Sequence, residues 1–274
     1  MKDYIDITLP NELPHSEMSR IGRVIAAENL DYVNSHSKPV HPRRSFYVEH
    51  GKRTIDFCVA AVALFLTCPI NLVLAVCTYI DVGLPIFFLQ DRVGKDGKLF
   101  TIVKFRNMNN KKDAYGDLLP GKERVTEFGR FVRKTSLDEL LNFWSVLKGD
   151  MSIIGPRPLP EGYNERFSER HKMRWAVRPG LECPFLYPSD KKITWAEQFE
   201  NDVWYVENIS FLTDVRLLAA LIRMAVNRNS SSVRGAADRG SFMGYYKDGS
   251  SINSKRVPIK YYDLALEQYR NEKK

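Results

Sequence analysis

The chain has 274 residues, 44% of them apolar and 27% charged, which excludes a wholly disordered or collagen-like protein and leaves room for a buried core in one or two domains. Lys and Arg outnumber Asp and Glu by 41 to 33, and residues 91–180 alone hold 19 Lys or Arg against 12 Asp or Glu. Such a balance points to an anionic partner: nucleic acid, an anionic membrane surface or a phosphorylated substrate. The four cysteines, Cys58, Cys68, Cys77 and Cys183, form no CxxC pair. They read as buried, inert thiols in a reducing compartment, not as zinc ligands.

Residues 1–50 are polar, contain Pro10, Pro14, Pro39 and Pro42, and read as a flexible extension with one weak amphipathic signal over Ser19–Leu30. The first twenty residues lack the apolar core of a secretory signal. Phe57–Ile80 is a different material, 24 residues without a charge. As a helix it reaches roughly 36 Å, against a bilayer core of about 30 Å. Pro69 stands at its middle, where it removes a helix hydrogen bond and favours a bend. Both flanks are basic, Lys52 and Arg53 before and Arg92, Lys95 and Lys98 after. The positive-inside tendency therefore places both ends in the cytoplasm. A helix that enters, breaks at Pro69 and returns reconciles length, proline and charge; a kinked span and a buried helix are the alternatives.

Pro85–Gln90 and Lys98–Met108 read as the strands of a hairpin, joined through Gly94-Lys95-Asp96-Gly97. Lys104 and Arg106 fall on one face of the second strand. Asn109–Glu127 reads as a loop. The clearest helix opens at Thr135-Ser136-Leu137-Asp138-Glu139, with Ser136 as N-cap and Glu139 completing a capping box, and it ends at Gly149. Gly155-Pro156-Arg157-Pro158 follows, with proline on both sides of Arg157. Trp195–Val206 and Phe211–Val226 have helical patterns, the second suited to the core or to a membrane interface. Asn227–Gly240 reads as a linker, and Ser241–Lys274 has no assigned role.

Asp138 and Glu139 are the most informative pair. Two carboxylates in a first helical turn are fully explained as a cap, yet such a carboxylate also suits attack on phosphorus or a divalent metal. Arg133, Lys134, Lys104, Arg106, Arg157 and Arg178 supply cations for phosphate. Other templates are absent: no GxxxxGK[ST], GxGxxG or GxSxG run, and no zinc-finger or RRM motif. Four histidines lie in the first 50 residues, and His171 reads as a surface residue.

Asp56 through Pro69, LFTIVKFRNM, RKTSLDELLNFWSVLKGDMSIIGPRPL and VRPG at 177–180 together resemble the bacterial sugar transferase family, the monotopic polyprenol-phosphate phosphoglycosyl transferases. The likeness covers about residues 50–226. It implies transfer of a sugar 1-phosphate from a UDP-sugar to a polyprenol phosphate at the inner leaflet, with release of UMP. It further implies Mg²⁺, with Asp138 and Glu139 as its ligands, a covalent phosphosugar on Asp138, Glu139 as the second member of the dyad, and Pro69 as the helix break. After Gly180 the family's TG, QVNGR loop is replaced by Leu181–Pro188.

The resulting expectation is a helix-rich mixed α/β protein, with a flexible extension (1–50), a proline-broken re-entrant membrane helix (51–84), a cytosolic catalytic domain with a small β-hairpin (85–226), and a linker and tail (227–274). It would start a surface polysaccharide or glycoconjugate at the bacterial inner membrane, with downstream glycosyltransferases as candidate partners and no nucleic acid. Asp138 is the expected nucleophile, Glu139 its partner, and Lys104, Arg106, Arg133, Arg157 and Arg178 the phosphate ligands. The competing readings are a non-catalytic membrane scaffold of the same fold and a basic membrane-peripheral binding protein.

Overall fold

The computed structural model describes residues 3–9, 11–112, 118–119, 121–186, 193–226 and 239–273. The chain is a helix-rich mixed α/β protein with four two-stranded sheets and one long apolar helix among these residues. That helix, α2 (Lys52–Val82), runs 31 residues, with Pro69 inside it and Gly83, at φ 69°, ending it. Its buried residues are Lys52, Asp56 and Ala60 at one end and Leu74 and Thr78 at the other, while Phe65, near the middle, is 80% exposed. The middle of α2 is thus an exposed apolar surface, on a helix long and apolar enough by length and composition to cross a membrane.

Both ends of α2 dock on one body. Ala60 joins a core with Ile102, Val146, Met151, Ile154 and Tyr205, and Leu74 packs with Phe105 and Val132. The charges at its start face inward: Arg53 donates to the carbonyls of Val146 at 2.6 Å and Leu147 at 2.7 Å, and Asp56 accepts from the Ile153 N–H at 3.0 Å. The expected hairpin is present as β2 (Phe87–Val93) paired antiparallel with β3 (Leu99–Phe105), turning through Lys95–Gly97. The loop expected over Asn109–Glu127 carries two isolated bridges, Met108 to Val125 and Lys112 to Leu118, and a short helix, α3 (Gly121–Arg124).

The helix expected from Ser136 to Lys148 is broken in two. Ser136 adopts a left-handed conformation (φ 57°) and closes α4 (Glu127–Thr135), so its hydroxyl caps nothing. Leu137–Glu139 is a single 3₁₀ turn, and the regular helix α5 starts only at Asn142 and ends at Lys148. Beyond it, β4 (Ser152–Ile154) pairs parallel with β5 (Gly180–Glu182). A Cβ on Gly155 would lie 2.7 Å from the Arg178 carbonyl oxygen and 2.9 Å from the Gly180 nitrogen. Only glycine permits this approach of the two backbones. The short α6 (Glu169–Lys172), α7 (Trp195–Asn208) and α8 (Phe211–Val226) complete the body.

Residues 1–50 are not the flexible extension expected. They hold β1 (Tyr4–Ile5) and the 19-residue α1 (Met18–His36). The tail adds β6 (Phe242–Tyr245), β7 (Ser251–Asn253), β8 (Val257–Pro258) and α9 (Ile259–Glu272). β1 pairs with β8, and Ile7, Ile21 and Ile25 share a core with Ile252, Val257 and Tyr261. Asn29, in α1, donates to the Tyr245 carbonyl at 2.9 Å and to the Tyr261 hydroxyl at 2.8 Å. The two ends of the chain thus form one unit, and the burial of apolar surface between them is what makes each fold. The linker expected over 227–240 lies outside the described residues up to position 238. Of the four thiols expected to be buried, only Cys183 is; Cys58 and Cys68 face outward from α2.

Candidate active site

The dyad sits where β3, the 3₁₀ turn and the loop after β4 meet. Asp138 is 8% exposed, because the left-handed turn at Ser136 swings the 3₁₀ segment inward against β3. Asn107, just past β3, bridges two site residues: its Nδ2 donates to Asp138 Oδ2 at 3.3 Å, and its Oδ1 accepts from Arg133 Nε at 3.0 Å. Glu139 is gripped from both sides. Lys104 Nζ donates to Glu139 Oε1 at 2.7 Å, and Arg157 Nη2 donates to the same oxygen. Arg157 Nη1 also donates to the Leu181 carbonyl at 2.9 Å and stands 3.9 Å from Glu182.

The two neighbouring carboxylates have opposite environments. Burial pushes the Glu139 carboxyl up, but the charges of Arg157 and Lys104 and their hydrogen bonds outweigh it and hold Glu139 at about 2. Burial raises the Asp138 carboxyl, against the pull of Lys104 and with the push of Glu139. Titratable neighbours driven apart in this way mark a candidate site for chemistry. Burial also lowers the Arg133 guanidinium, which Asp138 opposes. Arg174, buried against the rings of Phe167 and Phe199, supports the loop from below by donating to the Arg157 carbonyl at 2.8 Å while pairing with Asp202 at 2.7 Å.

Of the expected site residues, Asp138, Glu139, Lys104, Arg133 and Arg157 come together. Arg106 and Arg178 do not join them through the contacts they make. Arg106 lies beyond the end of β3 and donates to the carbonyls at the end of α2, Val82, Gly83 (3.0 Å) and Leu84 (3.2 Å). Arg178 Nε donates to the Gly149 carbonyl at 3.0 Å, closing the end of α5. Cations at helix C-termini satisfy leftover carbonyls and the negative end of the dipole. Asn107 and Arg174 are missing from the sequence-based set. Asn107 stands inside the LFTIVKFRNM run, but an amide carries no charge to single it out. His171, expected at the surface, is buried, with Nδ1 2.7 Å from the Tyr245 hydroxyl and Nε2 2.8 Å from Glu200.

A hard divalent ion fits this donor set only in part. Among the described residues no three His, Cys, Asp or Glu side chains converge as a ready metal cage. Both hydrogen bonds to Glu139 fall on Oε1, and Asp138 lies beside it. Two carboxylates completed by phosphate oxygens and water are what Mg²⁺ accepts.

These elements define a helix-rich scaffold with one long apolar helix that presents paired carboxylates among clustered cations. The profile of the bacterial sugar transferase family matches residues 47–228, two thirds of the chain, and the protein belongs to that family. It is 41% identical over 172 residues to the uncharacterized sugar transferase EpsL of Bacillus subtilis, covering 63% of this chain and 85% of that one. It is 36% identical over 181 residues to a UDP-N-acetylgalactosamine-undecaprenyl-phosphate N-acetylgalactosaminephosphotransferase of Aeromonas hydrophila, covering 63% of this chain and 43% of that one. It is 33% identical over 180 residues to the UDP-glucose:undecaprenyl-phosphate glucose-1-phosphate transferase of Escherichia coli, covering 59% of this chain and 39% of that one. The match spans less than half the length of these last two relatives. The folded unit made by α1, β6–β8 and α9 lies outside the matched segment.

Proposed function

We propose that this protein transfers a sugar 1-phosphate from a UDP-sugar to a polyprenol phosphate, undecaprenyl phosphate by analogy with its relatives, at the cytoplasmic face of the bacterial inner membrane. The observation that carries the reading is the split between the two carboxylates: Glu139 is pinned by Lys104 and Arg157, while Asp138 is buried with its carboxyl raised. A carboxylate of raised pKa is a stronger nucleophile once ionised, and a fixed acid beside it keeps two cations in place for phosphate. An Asp138 oxygen attacks the phosphorus that bears the sugar. The bond from that phosphorus to the bridging oxygen breaks, and UMP leaves with that oxygen. A phosphate oxygen of the polyprenol then attacks the same phosphorus and breaks its bond to Asp138. The carboxylate is restored and a polyprenol-diphosphate-sugar is formed.

Arg133 and Arg157 supply charge for the donor diphosphate, with Asn107 orienting Asp138. Mg²⁺ held by Asp138, Glu139 and the diphosphate would offset the negative charge that opposes attack. A re-entrant path for α2 is supported by the docking of both its ends on the same body and by Pro69 in its outward-facing middle. Such a helix delivers the lipid acceptor to a site at the membrane surface. The described part of the altered 181–188 loop still serves the site, since the Leu181 carbonyl accepts from Arg157. Incubation with undecaprenyl phosphate and a panel of radiolabelled UDP-sugars tests the reading: one sugar should move into the lipid phase with release of UMP, and no transfer from any of them contradicts it.

A further inference from the structure

Asp214, in the first turn of α8, is 8% exposed and touches no member of the dyad. Its carboxylate gathers three donors from two other parts of the chain. Oδ2 accepts from the Tyr47 hydroxyl at 2.5 Å and from Lys52 Nζ at 2.6 Å, and Oδ1 accepts from the Tyr205 hydroxyl at 2.7 Å. Tyr47 lies in the turn that leads into α2, and Lys52 is its first residue, so one oxygen fixes the root of the apolar helix. The Tyr205 hydroxyl stands also 3.1 Å from the carbonyl of Ile154, the last residue of β4.

Three residues beyond Ile154 is Arg157. The path between them is stiff. The Gly155 N–H donates to the Glu182 carbonyl at 3.2 Å, and the Gly180 N–H donates to the Pro156 carbonyl at 3.0 Å. Pro156 and Pro158 fix φ on either side of Arg157, and the backbones of Gly155 and Gly180 are too close to slide. A displacement at the Ile154 carbonyl therefore reaches Arg157 with little slack to absorb it. A buried Lys–Asp pair alone would explain only the contact with Lys52. The single Tyr205 proton, shared between Asp214 Oδ1 and the Ile154 carbonyl, is what extends the network to the loop.

We infer that Asp214 is a positioning residue, which acts through Tyr205 and the Ile154 carbonyl to set Arg157 against Glu139 from the root of the apolar helix. The inference rests on the transfer reading above for its kinetic readout, and hydrogen exchange supplies a second that does not. In the full-length membrane-bound protein, Tyr205→Phe removes one oxygen and keeps the ring. It should lower kcat about tenfold with KM for the UDP-sugar within twofold of wild type, and speed amide exchange in the peptide 152–158 while leaving α7 unchanged. Asp214→Asn should do the same, and the double variant should fall no more than twofold below the worse single one. Lys52→Met combined with Asp214→Asn, which removes both charges, should stay slow. Restored kcat in that pair, or a Tyr205→Phe protein with wild-type exchange over 152–158 and kcat within twofold, overturns the inference. If wild type itself transfers nothing, the transfer reading falls and the exchange measurement alone decides this one. Should Asp214→Asn not fold, Tyr205→Phe carries the test.

Discussion

Arg157 and Glu139, 18 residues apart in sequence, share one ion pair that locks the loop after β4 onto the 3₁₀ turn carrying Asp138. Lys104 takes the same Glu139 oxygen from β3, so three separate segments meet on one atom. Glu139→Gln keeps the shape and removes the charge. It should leave both cations without their counterion, lower stability by about 1–3 kcal/mol, and reduce transfer at least as strongly as Lys104→Met. Denaturant midpoints and steady-state rates on the same preparations check both halves. Wild-type stability in Glu139→Gln would contradict the role given to the pair.

The opposite environments of the dyad give opposite responses to pH. Glu139, held at about 2 in the folded protein, stabilises the fold above its unfolded value of about 4.3, and this contribution is lost as pH falls toward 2. Asp138 is raised by burial, so its ionisation opposes folding and its protonation at low pH relieves that cost. The proposed transfer uses the ionised Asp138. The acid limb of kcat/KM should therefore fall with an apparent pKa above the ordinary aspartate value of about 3.9. A limb at or below that value would contradict the buried nucleophile.

Gly155→Ala tests the close approach of β4 and β5. The added methyl would meet the Arg178 carbonyl and the Gly180 nitrogen, both backbone atoms that cannot rotate away. The expected loss is about 2–3 kcal/mol or more, with activity falling further than stability because Arg157 is two residues on. Gly162→Ala, where a Cβ would meet nothing within 4 Å, is the control and should change neither.

Much of this architecture is legible in the sequence. The hairpin has its turn glycines, the apolar run has its length, and the paired acids stand out beside the GPRP run. The break at Ser136 is not legible, because Ser136 and Glu139 fit a capping box by spacing alone. The left-handed turn goes with the packing of Leu137 and Leu140 against Val132 and, distant in sequence, Phe105, a contact that no local spacing shows. The folding of residues 1–50 is equally hidden: its partners, Ile252, Val257 and Tyr261, lie more than 200 residues away. Arg106 and Arg178 look like phosphate ligands by charge, yet both bind carbonyls at helix ends that no local pattern reveals. Lys52 and Arg53, taken as membrane flanks, face inward on Asp214 and the end of α5. They leave the topology argument to the two docked ends of α2.

That unit of both chain ends can be probed at Gly22. A Cβ there would overlap the guanidinium of Arg166, which is buried and donates to the Phe242 carbonyl at 2.8 Å. Gly22→Ala should displace Arg166 and cost about 1–3 kcal/mol, read as a lower melting temperature. Unchanged stability would mean that α1 does not pack closely against Arg166.

Topology is open to direct labelling. Arg44→Cys and Lys95→Cys, each in a cysteine-free background, place single thiols at exposed positions on either side of α2. With a re-entrant helix, both should react with an impermeant reagent only after the cells are opened. Reaction at position 44 in intact cells, with position 95 protected, would mean that α2 spans the membrane.

In the proposed reaction the Asp138 carboxylate becomes covalently bonded to the phosphosugar. Wild type incubated with its UDP-sugar in the absence of polyprenol phosphate, quenched and digested, should show the peptide containing Asp138 heavier by one sugar phosphate. The added mass should disappear when polyprenol phosphate is supplied, and Asp138→Asn should show neither adduct nor transfer. An adduct on another residue, or an Asp138→Asn protein that keeps more than about a tenth of wild-type turnover, a difference of about 1.4 kcal/mol in barrier, would contradict the account.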